Sequence, residues 1–515
     1  MSESGSRLAT LAESGPSGTL LRAGTRARLW AAFCVLIFLA LSVGYSVTRP
    51  PWWDEGVFAD IALNFRDHGH LGNSTLYSYG YLEWPEANHY TYWQFPFYLI
   101  TLGSWLHLVP PTIEWIRMLS VLWACLYVFA WFLVVRALSR DEPLSLLVAS
   151  MVALDYATVA AASNGRMDMM CAALGQAALA VYLWLRDSHW NAAVTAAGFL
   201  GAASLLCHPM GVVTNAFLVS VVLLDWKRIR WTGILGAAVP YLIGSALLLR
   251  YILQAPAVFL AQTKAASTYR ITGFTAVIEN LFNDLYLRYG GLYYSSMHGI
   301  NKLKVASLIF AVVGVVAFAM RRNLRHQPLG KMLLFMACIA YIGVALVDNQ
   351  KFPIYFIYSM PVFTACGVVW VHDCWKNRGP WRWISAALLG SAVAATIAGF
   401  TYKIHENDYD HLYKPAVAAI RASLPPGGLV MGGSELGFGL GFGSNLIDDR
   451  YLGFFSGKTP DVFVVNQYYG AMPGAQLGQA WVASREKLRT QYHLTFSNEA
   501  YRVYALNRGP APQNR

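Results

Sequence analysis

The stretch "RPPWWDEG" at residues 49–56 sets two adjacent carboxylates, Asp54 and Glu55, behind two prolines and two tryptophans. The prolines restrict the backbone, and Trp52 and Trp53 suit a water–lipid boundary. Acids held in such a frame suit a general base acting at a membrane surface, whereas a solvated linker carboxylate is the plainer use of the same residues. The stretch "SNGRMDMM" adds Arg166 and Asp168, which read either as an ion pair fixing helix depth or as groups facing a substrate. In "LLCHPMGVV", His208 interrupts an apolar stretch, either capping a helix turn or joining a polar cluster with Arg166 and Asp168.

Three cations offer charge to an anionic ligand: Arg270, Arg288 and Lys351, the last ahead of Tyr355 and Tyr358 in "DNQKFPIYFIYSMP". A lysine at such a boundary also serves simply to snorkel, and the arginines suit a solvated surface equally well. "RDHGH" supplies His68 and His70, and "YLEWPEANHY" supplies Glu83, Glu86 and His89. Glu86 and His89 are the candidate pair for a divalent metal, without the spacing of a zinc site. The glycines of "GFGLGFGS" alternate and do not follow dinucleotide-binding spacing, so a flexible or close-packed loop is expected there.

The elements that must position these groups are apolar helices. Hydrophobic residues make up 56% of the 515, and charged residues 13%, a balance that belongs to membrane proteins. Eleven runs approach the roughly 20 apolar residues of a span: 29–47, 113–135, 143–161, 168–185, 191–207, 209–224, 233–252, 304–320, 332–347, 353–371 and 383–400. Arg and Lys cluster in alternate short connections, which places the N-terminus in the cytoplasm and residues 401–515 outside. The net charge of +11 is thereby explained without nucleic acid. None of the seven cysteines falls in the large outside segments, so no disulfide framework is implied.

Residues 1–28 have a disordered composition. Residues 29–400 form the membrane domain, with outside loops 48–112 and 253–303, the first rich in aromatics suited to helices on the membrane surface. Residues 401–515 show soluble patterning, with a helix at "LYKPAVAAIRASL" and strands at "LVMGG", "DVFVVN" and "AYRVYALN". The expected fold is a polytopic α-helical membrane protein of about eleven spans with a small C-terminal α/β domain.

The acidic pair in the first outside loop, the Arg-x-Asp start of a middle span, the His-Pro-x-Gly turn and the basic-aromatic entry to a late span occur here in one order. That arrangement resembles the GT-C superfamily of integral-membrane glycosyltransferases, nearest its aminoarabinose-transferase and protein O-mannosyltransferase branches. The resemblance covers approximately residues 30–400. It implies an inverting transfer of sugar from a polyprenyl-phosphate donor to a lipid, glycan or protein acceptor, outside the cytoplasmic leaflet of the plasma (inner) membrane. It also implies that Asp54, with Glu55 beside it, is the base, and that Arg166, Asp168, His208, Arg270, Arg288, Lys351 and Tyr358 serve the donor. Where many relatives carry lysine, this chain has His208. The rival reading is a flippase for a lipid-linked glycan, although the polar groups gather at one face rather than at the midplane of two similar halves.

Overall fold

The computed structural model describes residues 17–79, 82–228, 230–268, 274–295, 299–348, 351–449, 453–466 and 478–508. Among these, nine helices are long and apolar enough to cross a membrane, or ten if a bent pair counts as one span. The eleventh expected span, 209–224, is the helix Gly211–Leu224, whose 14 residues reach about 21 Å at 1.5 Å per residue, short of the roughly 30 Å hydrocarbon core. The apolar run is present, but His208 and Pro209 delay the helix start until Gly211. The stretch 143–161 is two helices bent by 61°. Spans Met167–Leu185 and Pro353–Lys376 are largely enclosed by the others.

Seven helices build the site and its surroundings: α1 (Ser17–Thr48), α2 (Trp53–His68), α3 (Pro96–Trp105), α4 (Ile113–Ser139), α5 (Glu142–Ala153), α6 (Tyr156–Ala162) and α7 (Met167–Leu185). α2 and α3 are the helices of the long loop 48–112. Gly69 ends α2 at φ +75°, with its N–H on the Phe65 carbonyl at 3.0 Å, a left-handed closure that glycine allows without strain. The segment after residue 253 forms helices over Pro256–Thr268 and Phe274–Asp284. Buried Gln262 of the first donates to the carbonyls of Pro85 and Tyr90, both at 2.9 Å, and accepts from Tyr92 N–H at 2.8 Å, tying this segment to the first loop.

A short hairpin, β1 (Ser78–Tyr79) and β2 (Leu82–Glu83), precedes the C-terminal domain's strands β3 (Val430–Met431), β4 (Leu446–Ile447), β5 (Val462–Asn466), β6 (Tyr492–Ser497) and β7 (Tyr501–Leu506). The sheet runs in the order β4-β3-β5-β7-β6, parallel on the β4 side and antiparallel beyond β5. The helix Lys414–Ser423 covers it with Ala416, Val417 and Ile420. Of the alternating glycines the first two are close-packed, a Cβ on Gly437 lying 2.3 Å from the Phe442 ring and one on Gly439 2.6 Å from Val417. Gly441, at φ +96°, and Gly443 have open space around them.

Candidate active site

α2 begins where Pro50 and Pro51 leave the chain extended, with Trp52 as N-cap. Two carboxylates in its first turn suit the positive end of the helix. Glu55 takes four hydrogen bonds: from Trp52 N–H at 2.8 Å, Gly165 N–H at 2.7 Å, and Arg117 Nε and Nη2 at 2.8 and 2.7 Å. Arg117 directs its remaining donors to the carbonyls of Ser46, Arg49 and Pro50, capping the end of α1 with the residue that grips α2. Both side chains are fully buried. Burial would raise the Glu55 pKa, but the Arg117 charge and its hydrogen bonds outweigh that and hold it below the usual range. Glu55, expected beside Asp54 in catalysis, is thus placed in the interior with Arg117 and Gly165 as its partners. A carboxylate enclosed on all sides cannot reach an acceptor hydroxyl, and Glu55 is the bolt between α1, α2 and α4.

Asp54 keeps 23% of its side chain exposed and pairs with Arg166. Arg166 also donates to Asp168 at 2.9 Å and lies over the rings of Trp52 and Phe58, 5.0 and 5.6 Å from their centroids. One guanidinium against two carboxylates, +1 and −2, leaves this cluster with a formal charge of −1. Tyr358 OH donates to the Asp168 carbonyl at 3.3 Å. Tyr355 lies 6.4 Å from the Tyr358 ring and 5.4 Å from the His208 ring, and His208 Nδ1 accepts the Met210 N–H at 3.1 Å. His208 thus caps its turn and also stands within the same polar and aromatic group.

The other expected groups lie apart from it. Lys351 pairs with Asp284 at 2.8 Å, while Arg288 reaches Asp284 at 3.0 Å and Asp348 at 2.8 Å. Charges matched in this way and almost wholly buried serve to hold the 274–295 segment to the turn after residue 347. Arg288 and Lys351, expected at the donor phosphate, are thus engaged in ion pairs with Asp284 and Asp348, and Arg270 lies outside the described residues. For Glu86 and His89, the described residues contain no group of three or more His, Cys, Asp or Glu placed to hold a metal ion. The ring of His89 does lie 5.9 Å from that of His70.

Beyond Trp52 opens a cleft of about 310 Å³ that reading the sequence did not identify. Its cations are Arg49 at the end of α1, Lys304 at the start of a span, and Lys403 near the end of the helix Trp381–Glu406. Arg49 lies 5.8 Å from the centroids of both Tyr45 and Trp52, and Lys403 donates to Tyr45 OH at 3.4 Å. Lys304 lies 6.0 Å from the centroid of Tyr156. Ala157, Ala160, Ala161, Phe356 and Phe400 supply apolar walls. Trp52 links the two groups: it lines the cleft with Arg49 5.8 Å from its ring centroid, and Arg166, the partner of Asp54, lies 5.0 Å from it. The three cations share one sequence signal: each stands where an apolar run meets a polar segment.

On its opposite side the first turn of α2 meets the C-terminal domain. A Cβ on Gly56 would lie 2.3 Å from the Ser434 carbonyl carbon and 2.4 Å from Glu435 N. Gly56→Ala is therefore expected to cost roughly 1–3 kcal/mol through overpacking, read as a lower apparent unfolding temperature in detergent.

No protein-family profile matches the chain, and no curated protein does. Solved structures do. ArnT from Cupriavidus metallidurans bound to undecaprenyl phosphate superposes with a TM-score of 0.59 at 15% identity, over 92% of this chain and 98% of that one. The archaeal oligosaccharyltransferase AglB from Archaeoglobus fulgidus, in complex with an inhibitory peptide and a dolichol-phosphate, gives 0.53 at 14% identity, over 95% and 75%. Both are GT-C glycosyltransferases. From its apolar helices to its small C-terminal sheet, this chain has the GT-C fold.

Proposed function

We propose that the protein is a glycosyltransferase that moves a sugar from a polyprenyl-phosphate donor to an acceptor hydroxyl, with inversion at the sugar carbon and Asp54 as base. The observation that carries this reading is the basic, aromatic-walled cleft lined by Trp52, whose ring also lies against Arg166, the partner of a partly exposed carboxylate. Arg49, Lys304 and Lys403 offer three positive groups to one phosphate, where the leaving group's charge develops. The apolar walls suit the first prenyl units, and the sugar carbon then lies toward Trp52. Asp54 takes the acceptor's proton as its oxygen attacks, while the sugar–phosphate bond breaks and the polyprenyl phosphate departs on the cations. Arg166 pairs with Asp54, and Asp168 shares the same guanidinium. The reaction is read as taking place outside the inner membrane, with the N-terminus cytoplasmic and the acceptor a lipid, glycan or protein.

The test is a transfer assay with purified protein in lipid, a panel of radiolabelled undecaprenyl-phosphate sugars, and an envelope extract as acceptor. Label reaching an acceptor with release of undecaprenyl phosphate supports the reading. Donor that binds but is neither transferred nor hydrolysed favours translocation instead. Removal of a charged hydrogen-bond donor should weaken undecaprenyl phosphate binding about tenfold or more in each of Lys304→Ala and Lys403→Ala, measured by titration. Wild-type affinity in both would displace the phosphate from this cleft.

A further inference from the structure

Trp53, Asp54 and Glu55 are consecutive on the first turn of α2, so their side chains leave the helix about 100° apart. Each meets a different neighbour. Glu55 is fixed into the membrane bundle by Arg117 and Gly165. Asp54 meets Arg166. Trp53 turns the other way and donates its Nε1–H to Asp448 Oδ2 in the C-terminal domain.

Asp448 is itself firmly placed. It is fully buried and accepts from Ser434 N–H at 2.9 Å and Ser434 Oγ at 2.8 Å. Its own N–H donates to the Thr75 carbonyl at 2.8 Å, and its carbonyl accepts Tyr77 N–H at 3.0 Å, so residues 75–77 continue the C-terminal sheet beyond its β4 edge. Asp60, about one and two-thirds turns along α2 from Asp54, accepts the N–H groups of Ser74 and Thr75 at 2.7 and 3.0 Å. The domain therefore bears on α2 at Trp53 and Gly56 directly, and at Asp60 through the loop it has taken into its sheet.

The bundle holds the first turn through Glu55 and, by way of Arg166, through Asp54 itself. Trp53 is where the C-terminal domain bears on the same turn, so a change at Trp53 acts on the small residual roll of the helix about its axis. For a side chain about 6 Å from the axis, ten degrees of roll displaces the carboxylate by roughly 1 Å. Such a displacement costs as much as 100-fold in rate. We propose that the C-terminal domain is a positioning element for the reaction. Asp448, acting through Trp53, fixes the roll of α2 and so the aim of the Asp54 carboxylate toward the cleft. The inference rests on the reading of Asp54 as the base. It makes Trp53 and Asp448 positioning residues that govern turnover, while donor binding depends on cations from other helices.

The experiment compares Trp53→Phe, Asp448→Ala and Asp448→Asn in the full-length protein in lipid. It measures kcat for release of sugar from the panel of undecaprenyl-phosphate sugars, and affinity for undecaprenyl phosphate itself. Trp53→Phe and Asp448→Ala should lower kcat roughly 10- to 100-fold with undecaprenyl phosphate affinity unchanged. Asp448→Asn, whose amide oxygen still accepts from Trp53 and Ser434, should recover most of the loss. If Asp448→Ala does not fold, Trp53→Phe decides alone, because it removes the donor and keeps an aromatic ring. Wild-type kcat in the folded variants overturns the inference, as does a fall in affinity that matches the fall in kcat. Asp54→Asn separates the two levels. Full activity there removes the reading on which the inference rests, whereas an inactive Asp54→Asn beside a fully active Trp53→Phe removes the inference alone.

Discussion

Asp54→Asn should fold, bind undecaprenyl phosphate with wild-type affinity and transfer sugar 10²- to 10⁴-fold more slowly, roughly the range a positioned base supplies. Three features make the substitution clean. The side chain is partly exposed, so the neutral amide brings no burial cost. The adjoining Glu55 keeps all four of its partners. The cleft cations Arg49, Lys304 and Lys403 stand on other segments with neighbours of their own and are untouched. The measurement is label transfer beside a binding titration on the same preparation. Transfer at the wild-type rate would falsify the assignment of Asp54 and direct attention to Asp168, whose Oδ1 has no hydrogen-bond partner among the described residues.

The second large effect concerns stability. Arg117→Met leaves the Glu55 charge buried without its partner and strips the donors from three carbonyls at the end of α1, a change that costs about 3–5 kcal/mol. Adding Glu55→Gln should restore part of that loss, because the amide removes the stranded charge. The pH dependence has a definite sign. Glu55 has a depressed pKa in the folded protein, so its contribution is complete above its unfolded pKa and is lost as pH falls through the folded value. Arg117→Met removes that depression, and acid then neutralises the stranded carboxylate at a milder pH. Unfolding curves of wild type and Arg117→Met should therefore be far apart at neutral pH and converge on acidification. A constant gap would contradict this account of the pair.

Most of the membrane architecture was legible because hydropathy reports burial in lipid directly. Run 209–224 is the exception, since composition does not show where a helix begins and the turn at His208 shortens it. Asp54, Arg166 and Asp168 stood out because charge beside apolar runs is unusual, and the structure does bring them together with Tyr358 and His208. The division of labour within the acidic pair was not legible. What separates Glu55 from Asp54 is Arg117, 62 positions away and near the start of an apolar span. For the same reason Lys351 and Arg288 read as available cations, their partners Asp284 and Asp348 being visible only once the chain folds. The cleft required Arg49, Lys304 and Lys403 to be drawn from three segments, each resembling an ordinary span boundary. Asp448 gives no local signal, for its meaning lies in Trp53, 395 positions earlier.

The bend between α5 and α6 carries a kinetic consequence. Asp155 makes the break tolerable: its carboxylate accepts Ala157 N–H at 2.9 Å and Thr364 Oγ1 at 2.7 Å, and both it and Leu154 are buried in protein, as interrupted backbone at membrane depth requires. By turning through 61° the pair swings α6 out of line with α5, and Tyr156, Ala157, Ala160 and Ala161 become one wall of the cleft. A ligand reaching that wall from within the bilayer is dissolved in two dimensions, and its relevant concentration is its mole fraction among lipids. At fixed amounts of enzyme and donor, dilution with inert phospholipid should then slow the reaction, while dilution with buffer leaves the rate per enzyme unchanged.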